Sequence, residues 1–157
     1  MAEIKICDLS IGDWVRHTFY EENLQIKRIN GESERLLVEK GLMSVSCHLD
    51  HFEPIPLTAE ILEKNGWVRE DYYYGVMDGE PCFDAYRCTI YKNGYKYDIE
   101  LIDDCGESFD LEITHIETDE AGEEKTYTQL LKCLAIQHTH QLQHALRLAG
   151  VEKEIEI

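Results

Sequence analysis

No stretch of this chain stays apolar for the roughly 18 residues that a membrane-spanning helix needs. Its beginning, MAEIKICDLS, has neither the basic start nor the apolar run of a secretory signal. The expectation is a chain of the cytoplasm, away from the membrane. Close cysteine pairs are missing as well. Cys7, Cys47, Cys82, Cys88, Cys105 and Cys133 form no CxxC, so a structural zinc site lacks its usual thiolate pairs, and thiols in a cytoplasm stay reduced. Proline is scarce, with three in 157 residues, while 43% of the residues are hydrophobic; this suits a folded domain and not a disordered one. GxSxG, P-loop, GxGxxG and HExxH signatures are all missing, and no cysteine has the histidine and asparagine context of a thiol nucleophile. Catalytic groups can still assemble in space, but the sequence names no reaction and no cofactor.

Positive charge is what the chain has least of. Fifteen Lys and Arg face 32 Asp and Glu, for a net charge of −17. The imbalance is uneven: residues 1–57 carry 6 basic and 10 acidic groups, and residues 58–157 carry 9 and 22. Such a surface repels phosphates, because affinity for nucleic acid comes from Lys and Arg displacing counterions. Direct nucleic-acid binding is therefore not expected. The charge serves solubility, or it addresses a basic partner, or it mimics a nucleic acid.

Patterning predicts two parts. IGDWVRH, NLQIKRI, RLLVEK and LMSVSCHL read as short strands separated by turn chemistry, which is what a small SH3-like β-barrel needs over residues 1–54. Pro54 and Pro56 then hold an extended linker. Thr58 caps a short helix with Ile61 and Leu62 facing inward, and Asn65-Gly66 ends it. Residues 55–157 are expected to hold this linker helix, an antiparallel meander and a C-terminal helix. Asn93-Gly94 marks a two-residue hairpin turn, aligning Ile90 with Tyr97, Cys88 with Ile99 and Tyr86 with Leu101. A second turn through Asp103 to Glu107 aligns Tyr97 with Ile113, Ile99 with Leu111 and Leu101 with Phe109. The apolar face this creates needs a cover. A helical period places Leu131, Leu134, Ala135, Leu142, Ala145, Leu146 and Ala149 on one stripe, with Gly150 as its end and VEKEIEI as a last strand or extended tail. The predicted class is α+β: an SH3-like barrel, then a meander covered by a C-terminal helix.

Candidate sites follow from the same register. It opposes Asp98 to Glu112 and Glu100 to Asp110 on the outer face, with Arg87 beside Glu100. Facing like charges are destabilising, so the face is a solvated surface, a docking face for a basic partner, or a cation site. IQHTHQLQHALRLAG places His138 on the apolar face of the helix and His140 and His144 one turn apart, with Gln141 nearby. A His-x3-His pair can chelate a metal, and Cys133 adds a third donor on a continuous helix. The competing reading, a polar interface with no bound metal, is the expectation. DYYYG supplies a run of tyrosines in which Tyr73 is a candidate binding residue at the junction of the two parts.

HQLQ at residues 140–143, followed by ALRLAGVEKEIEI, together with EPIPLTAEILEKNGW and the opening IGDWV, resembles small uncharacterised proteins of Bacteroides-type phages and mobile elements. Their pattern carries IPLT…ILxKxGF in the middle and HQLQN near the end, where this chain has His144 in place of Asn. The resemblance implies a bacterial host cytoplasm and brings no chemistry with it. The two functions carried forward are a non-catalytic acidic protein engaging a basic host or viral macromolecule, for counter-defence or nucleic-acid mimicry, and a pocket protein that sequesters or hydrolyses a nucleotide-like small molecule.

Overall fold

The structure is a computed structural model that describes residues 4–72, 83–104, 107–118 and 123–157. Tyr73, Cys82 and Cys105 lie outside the described residues. Among the described residues, two five-stranded antiparallel sheets and two α-helices make an α+β architecture. The chain divides into two compact units, residues 1–56 with 138–144 and 157, and residues 57–137 with 145–156. No helix among the described residues is long and apolar enough to cross a membrane.

In the first unit, β1 (Trp14–His17), β2 (Glu22–Asn30), β3 (Arg35–Lys40), β4 (Met43–His48) and β5 (Phe52–Pro54) follow the predicted runs, with β5 added at the start of the linker. Their order is β4-β3-β2-β1-β5. Among the described residues neither this sheet nor the other closes into a barrel, so the SH3-like barrel expected over residues 1–54 is not confirmed beyond a five-stranded antiparallel sheet. Alternation along β2 and β3 turns Leu24, Ile26, Leu36 and Val38 into a core with Leu9, Val15, Leu49 and Phe52.

The second unit begins with α1 (Ala59–Lys64). The Thr58 hydroxyl accepts the Ile61 N–H at 3.4 Å, and Leu62 is fully buried, a contribution of about 2 kcal/mol for a leucine taken out of water. The sheet is formed by β6 (Val68–Tyr72), β7 (Phe83–Lys92), β8 (Tyr95–Asp104), β9 (Ser108–Thr118) and β10 (Glu124–Ile136), in the order β10-β9-β8-β7-β6. The β7–β8 register is the predicted one, with Ile90 opposite Tyr97, Cys88 opposite Ile99 and Tyr86 opposite Leu101. Asn93 (φ 53°) and Gly94 (φ 80°) both adopt the left-handed conformation that a tight type I′ turn requires.

The β8–β9 register differs from the expectation by two residues. Ile99 faces Ile113, Leu101 faces Leu111, and the strands stay paired as far as Asp104 and Ser108. A slip of two preserves the face, so Ile99, Leu101, Leu111 and Ile113 are all buried together on one side. The opposed pairs change, however. Asp98 meets Thr114, Asp110 meets Ile102, and only Glu100 faces a carboxylate, that of Glu112.

The larger correction concerns the C-terminal helix. Leu131, Leu134 and Ala135 belong to β10, and α2 spans only Thr139–Leu148. The register of β10 against β9 is broken three times, between Glu124 and Thr126, Gln129 and Leu131, and Cys133 and Ile136. At the last break Ala135 takes φ 58°, and its N–H donates to Asp110 Oδ1 at 3.1 Å. The helix ends where expected. Gly150 (φ 73°) donates to the Arg147 carbonyl at 3.0 Å, and Val151 donates to Leu146 at 2.9 Å, the two bonds of a Schellman cap. VEKEIEI is an extended tail with Val151 and Ile155 buried. The Asn65 amide clasps it, donating to the Glu156 carbonyl and accepting the Glu156 N–H, both at 2.8 Å.

Candidate functional site

Two groups of polar side chains stand apart from the cores, one in each unit. In the second unit they line a concave groove of about 730 Å³ on the sheet face opposite the buried one. Strand alternation sends Glu70 of β6, Arg87 and Thr89 of β7, Lys96, Asp98 and Glu100 of β8, Glu112 of β9 and Tyr127 of β10 to this groove.

Its carboxylates are engaged unequally. Arg87 places Nε at 2.8 Å and Nη2 at 2.6 Å from the same Glu100 oxygen, Oε1, and Nη1 at 3.1 Å from Glu70. Asp98 accepts the Thr89 hydroxyl at 2.8 Å and lies 3.1 Å from Lys96 Nζ. Lys96 also donates to Glu124 at 2.8 Å, while the Tyr127 hydroxyl donates to the other Glu124 oxygen at 2.6 Å. The hydrogen bond to Glu124, then the one to Asp98, pushes the Lys96 ammonium above the ordinary lysine range. Among the described residues Glu112 has only Lys132, at 3.9 Å and with both side chains well exposed, an ion pair of negligible strength. Glu100 and Glu112 are thus register partners on neighbouring strands, with Arg87 engaging Glu100 through Oε1 and Lys132 only loosely near Glu112 Oε2.

The four predicted carboxylates therefore do not act as one set. Asp98, Glu100 and Glu112 share the groove, whereas Asp110 holds the β10 bulge. Glu70 and Tyr127 were not anticipated. β6, read from VREDY, has no apolar alternation to announce a strand.

In the first unit, the start of α2 gathers His138, His140 and His144. His138 forms a β-bridge with Pro56, and its backbone N–H donates to Gln141 Oε1 at 3.0 Å. Gln141 is the third helical residue, and its side chain reaches back to the N-cap, half of a capping box. Thr139 N–H donates to the Ile55 carbonyl at 3.0 Å, fixing the helix start to the linker. His140 is buried, stacked on His138 at 5.7 Å and edge-on to His144 at 6.1 Å, and its Nδ1 has no hydrogen-bond partner. Burial pushes its pKa down to about 4, against the pull of Asp13.

The residue missed entirely is Asp13, from IGDWV. Its side chain is fully buried, accepts the Ser10 N–H at 2.7 Å and lies 2.8 Å from His144 Nε2. Cys133 sits on β10 and not on the helix, so the three-donor set of a continuous helix does not exist. Among the described residues no group of three or more His, Cys, Asp or Glu is arranged to hold a metal ion. Compared with protein-family models, with curated proteins and with solved structures, the chain matches none.

Proposed function

We propose that this chain is a non-catalytic binding protein that docks a basic segment of a partner protein in the groove on the second sheet. The observation that carries the reading is the facing pair Glu100 and Glu112. Directly opposed like charges on adjacent strands cost stability, and here a guanidinium or ammonium from outside relieves that cost. Arg87 is already committed to Glu70 and Glu100 Oε1, and Glu112 has only the loose Lys132 contact among the described residues, so an incoming cation finds carboxylate charge there that Arg87 does not neutralise. Tyr127, 63% exposed at the groove wall, supplies the amphipathic aromatic contact that interfaces favour. The net charge of −17 adds long-range attraction for such a partner. In the phage or mobile-element setting implied by the resemblance, the partner is a host or viral protein of the bacterial cytoplasm. The alternative, a nucleotide-like ligand, suits this groove less well, because its four lining carboxylates oppose a phosphate.

The test compares three tagged baits in a bacterial host lysate: wild type, Glu100→Lys/Glu112→Lys, and Phe19→Ser as an exposed change in the first unit. Circular dichroism checks the fold of each. A protein recovered by wild type and Phe19→Ser but lost by the lysine variant supports the groove. A protein kept by the lysine variant and lost by Phe19→Ser refutes it.

A further inference from the structure

The β1–β2 turn, residues 18–21, is held by a side chain that must be uncharged to hold it. His17 closes β1 and is 3% exposed. Its Nδ1 accepts two backbone N–H groups, from Phe19 at 3.2 Å and from Tyr20 at 3.4 Å. A protonated ring nitrogen cannot accept, so this geometry fixes the tautomer with hydrogen on Nε2 and requires a neutral imidazole. Nε2 is itself buried without a hydrogen-bond partner, so the ring has no acceptor ready to share a positive charge. The ends of the turn are tied separately, by the Glu21 N–H to the His17 carbonyl at 2.8 Å and the Thr18 N–H to the His51 carbonyl at 2.9 Å. The ring therefore holds the Phe19–Tyr20 segment between them, next to Glu21 at φ 52°, a left-handed conformation that a residue with a side chain adopts at a cost.

The surroundings oppose charging the ring. His51, from the turn preceding β5, stacks on it at 5.9 Å and 1°, Phe52 of β5 meets it edge-on at 5.1 Å, and Tyr20 tilts over it at 4.4 Å. Lys40 of β3 lies 3.6 Å over the Tyr20 ring and 3.2 Å from Glu22 of β2. Burial lowers the His17 pKa most, His51 and Lys40 lower it further, and Glu22 alone works the other way.

We propose that the β1–β2 turn is a pH-sensitive latch, in which neutral His17 holds the Phe19 and Tyr20 backbone through Nδ1 and protonation of the ring releases it. What the latch controls is an apolar tip: Phe19 is 80% exposed, and Tyr20 is the platform under Lys40. The sign follows from the lowered pKa. A released His17 takes up a proton near its ordinary value of 6.5, before the held ring does. Holding is complete above that pH, weakens below it, and is lost as the pH falls through the held-state value.

The test is an amide-exchange and ring-titration series by NMR on the full chain from pH 7.5 to 4.5. The Phe19 and Tyr20 protection factors should fall by up to about tenfold per pH unit from 6.5 down to the pH at which the His17 ring signals titrate, while Ile26 and Val38 stay protected. His17→Asn, which offers a non-titrating acceptor, should keep the turn protected throughout, and His17→Phe should leave it unprotected at every pH. The latch is overturned if the ring titrates while turn protection stays flat. It is equally overturned if Ile26 and Val38 lose protection at the same midpoint, or if the ring carries its neutral-state hydrogen on Nδ1.

Discussion

His140 should make this protein lose stability in mild acid by an amount that can be worked out beforehand. The ring is 5% exposed, lies between His138 and His144, and has a pKa of about 4 against the ordinary 6.5. Burial disfavours the charged form, so the unfolded chain takes up the proton first. The contribution is fully present above pH 6.5 and is lost as the pH falls towards 4, because over that window the unfolded state carries nearly one more proton at this site. The slope approaches about 1.4 kcal/mol per pH unit, and integration from pH 7.5 to 4.5 gives about 2.5 kcal/mol. That is a large share of the roughly 5–15 kcal/mol by which a domain is stable. Urea unfolding of wild type and His140→Phe at one-unit pH steps isolates the site, since Phe fills a similar space and does not titrate. The stability difference between the two proteins should shift by about 2.5 kcal/mol in favour of the variant between pH 7.5 and 4.5. A difference that stays constant across that range refutes the assignment of His140 as a buried neutral ring.

Other substitutions probe the second unit. Asp110→Ala should destabilise by about 0.5–1.5 kcal/mol by leaving the Ala135 N–H without its acceptor, read from the urea midpoint. Ala135→Gly should stabilise by about 0.5 kcal/mol, since glycine tolerates φ 58° better than alanine. Asn65→Ala removes both bonds to Glu156 and should cost about 1–2 kcal/mol, with exchange rising first at the tail amides. Glu112→Gln should stabilise the free protein by about 0.2–1 kcal/mol while weakening partner capture, and capture by wild type should slow between 0.1 and 1 M salt as the Debye length falls from about 10 to about 3 Å. Chelators should leave the melting temperature unchanged, whereas loss of a structural zinc would remove on the order of 10 kcal/mol.

What could be read from the sequence was local. Asn93-Gly94 announced its turn through residues tolerant of φ > 0, and alternation from Tyr86 to Leu101 then left one register for β7 and β8. The β8–β9 pairing was misread because loop length, which sets the register, carries a weaker signal than alternation: strands paired as far as Asp104 and Ser108 put the same side chains on the same face. The false helix over residues 131–135 has a physical origin as well. Leu131, Leu134 and Ala135 fall on a period near 3.6, and each register break in β10 inserts a residue that takes the strand off the strict alternation which would have announced it. Asp13 was illegible for the opposite reason. Its partner, His144, lies 131 residues further along the chain, and nothing near IGDWV signals that a buried carboxylate is needed there.

The breaks in β10 have one more consequence. A thirteen-residue strand at the rim of a sheet is a template on which foreign strands can grow, and the segments that seed cross-β fibrils are about six or seven residues long. Along β10 the longest run of regular pairing is Thr126–Gln129, followed by Leu131–Cys133. Both are shorter than a fibril seed, so the strand that completes the sheet offers an incoming strand only short regular stretches on which to pair, the way bulges blunt an exposed edge.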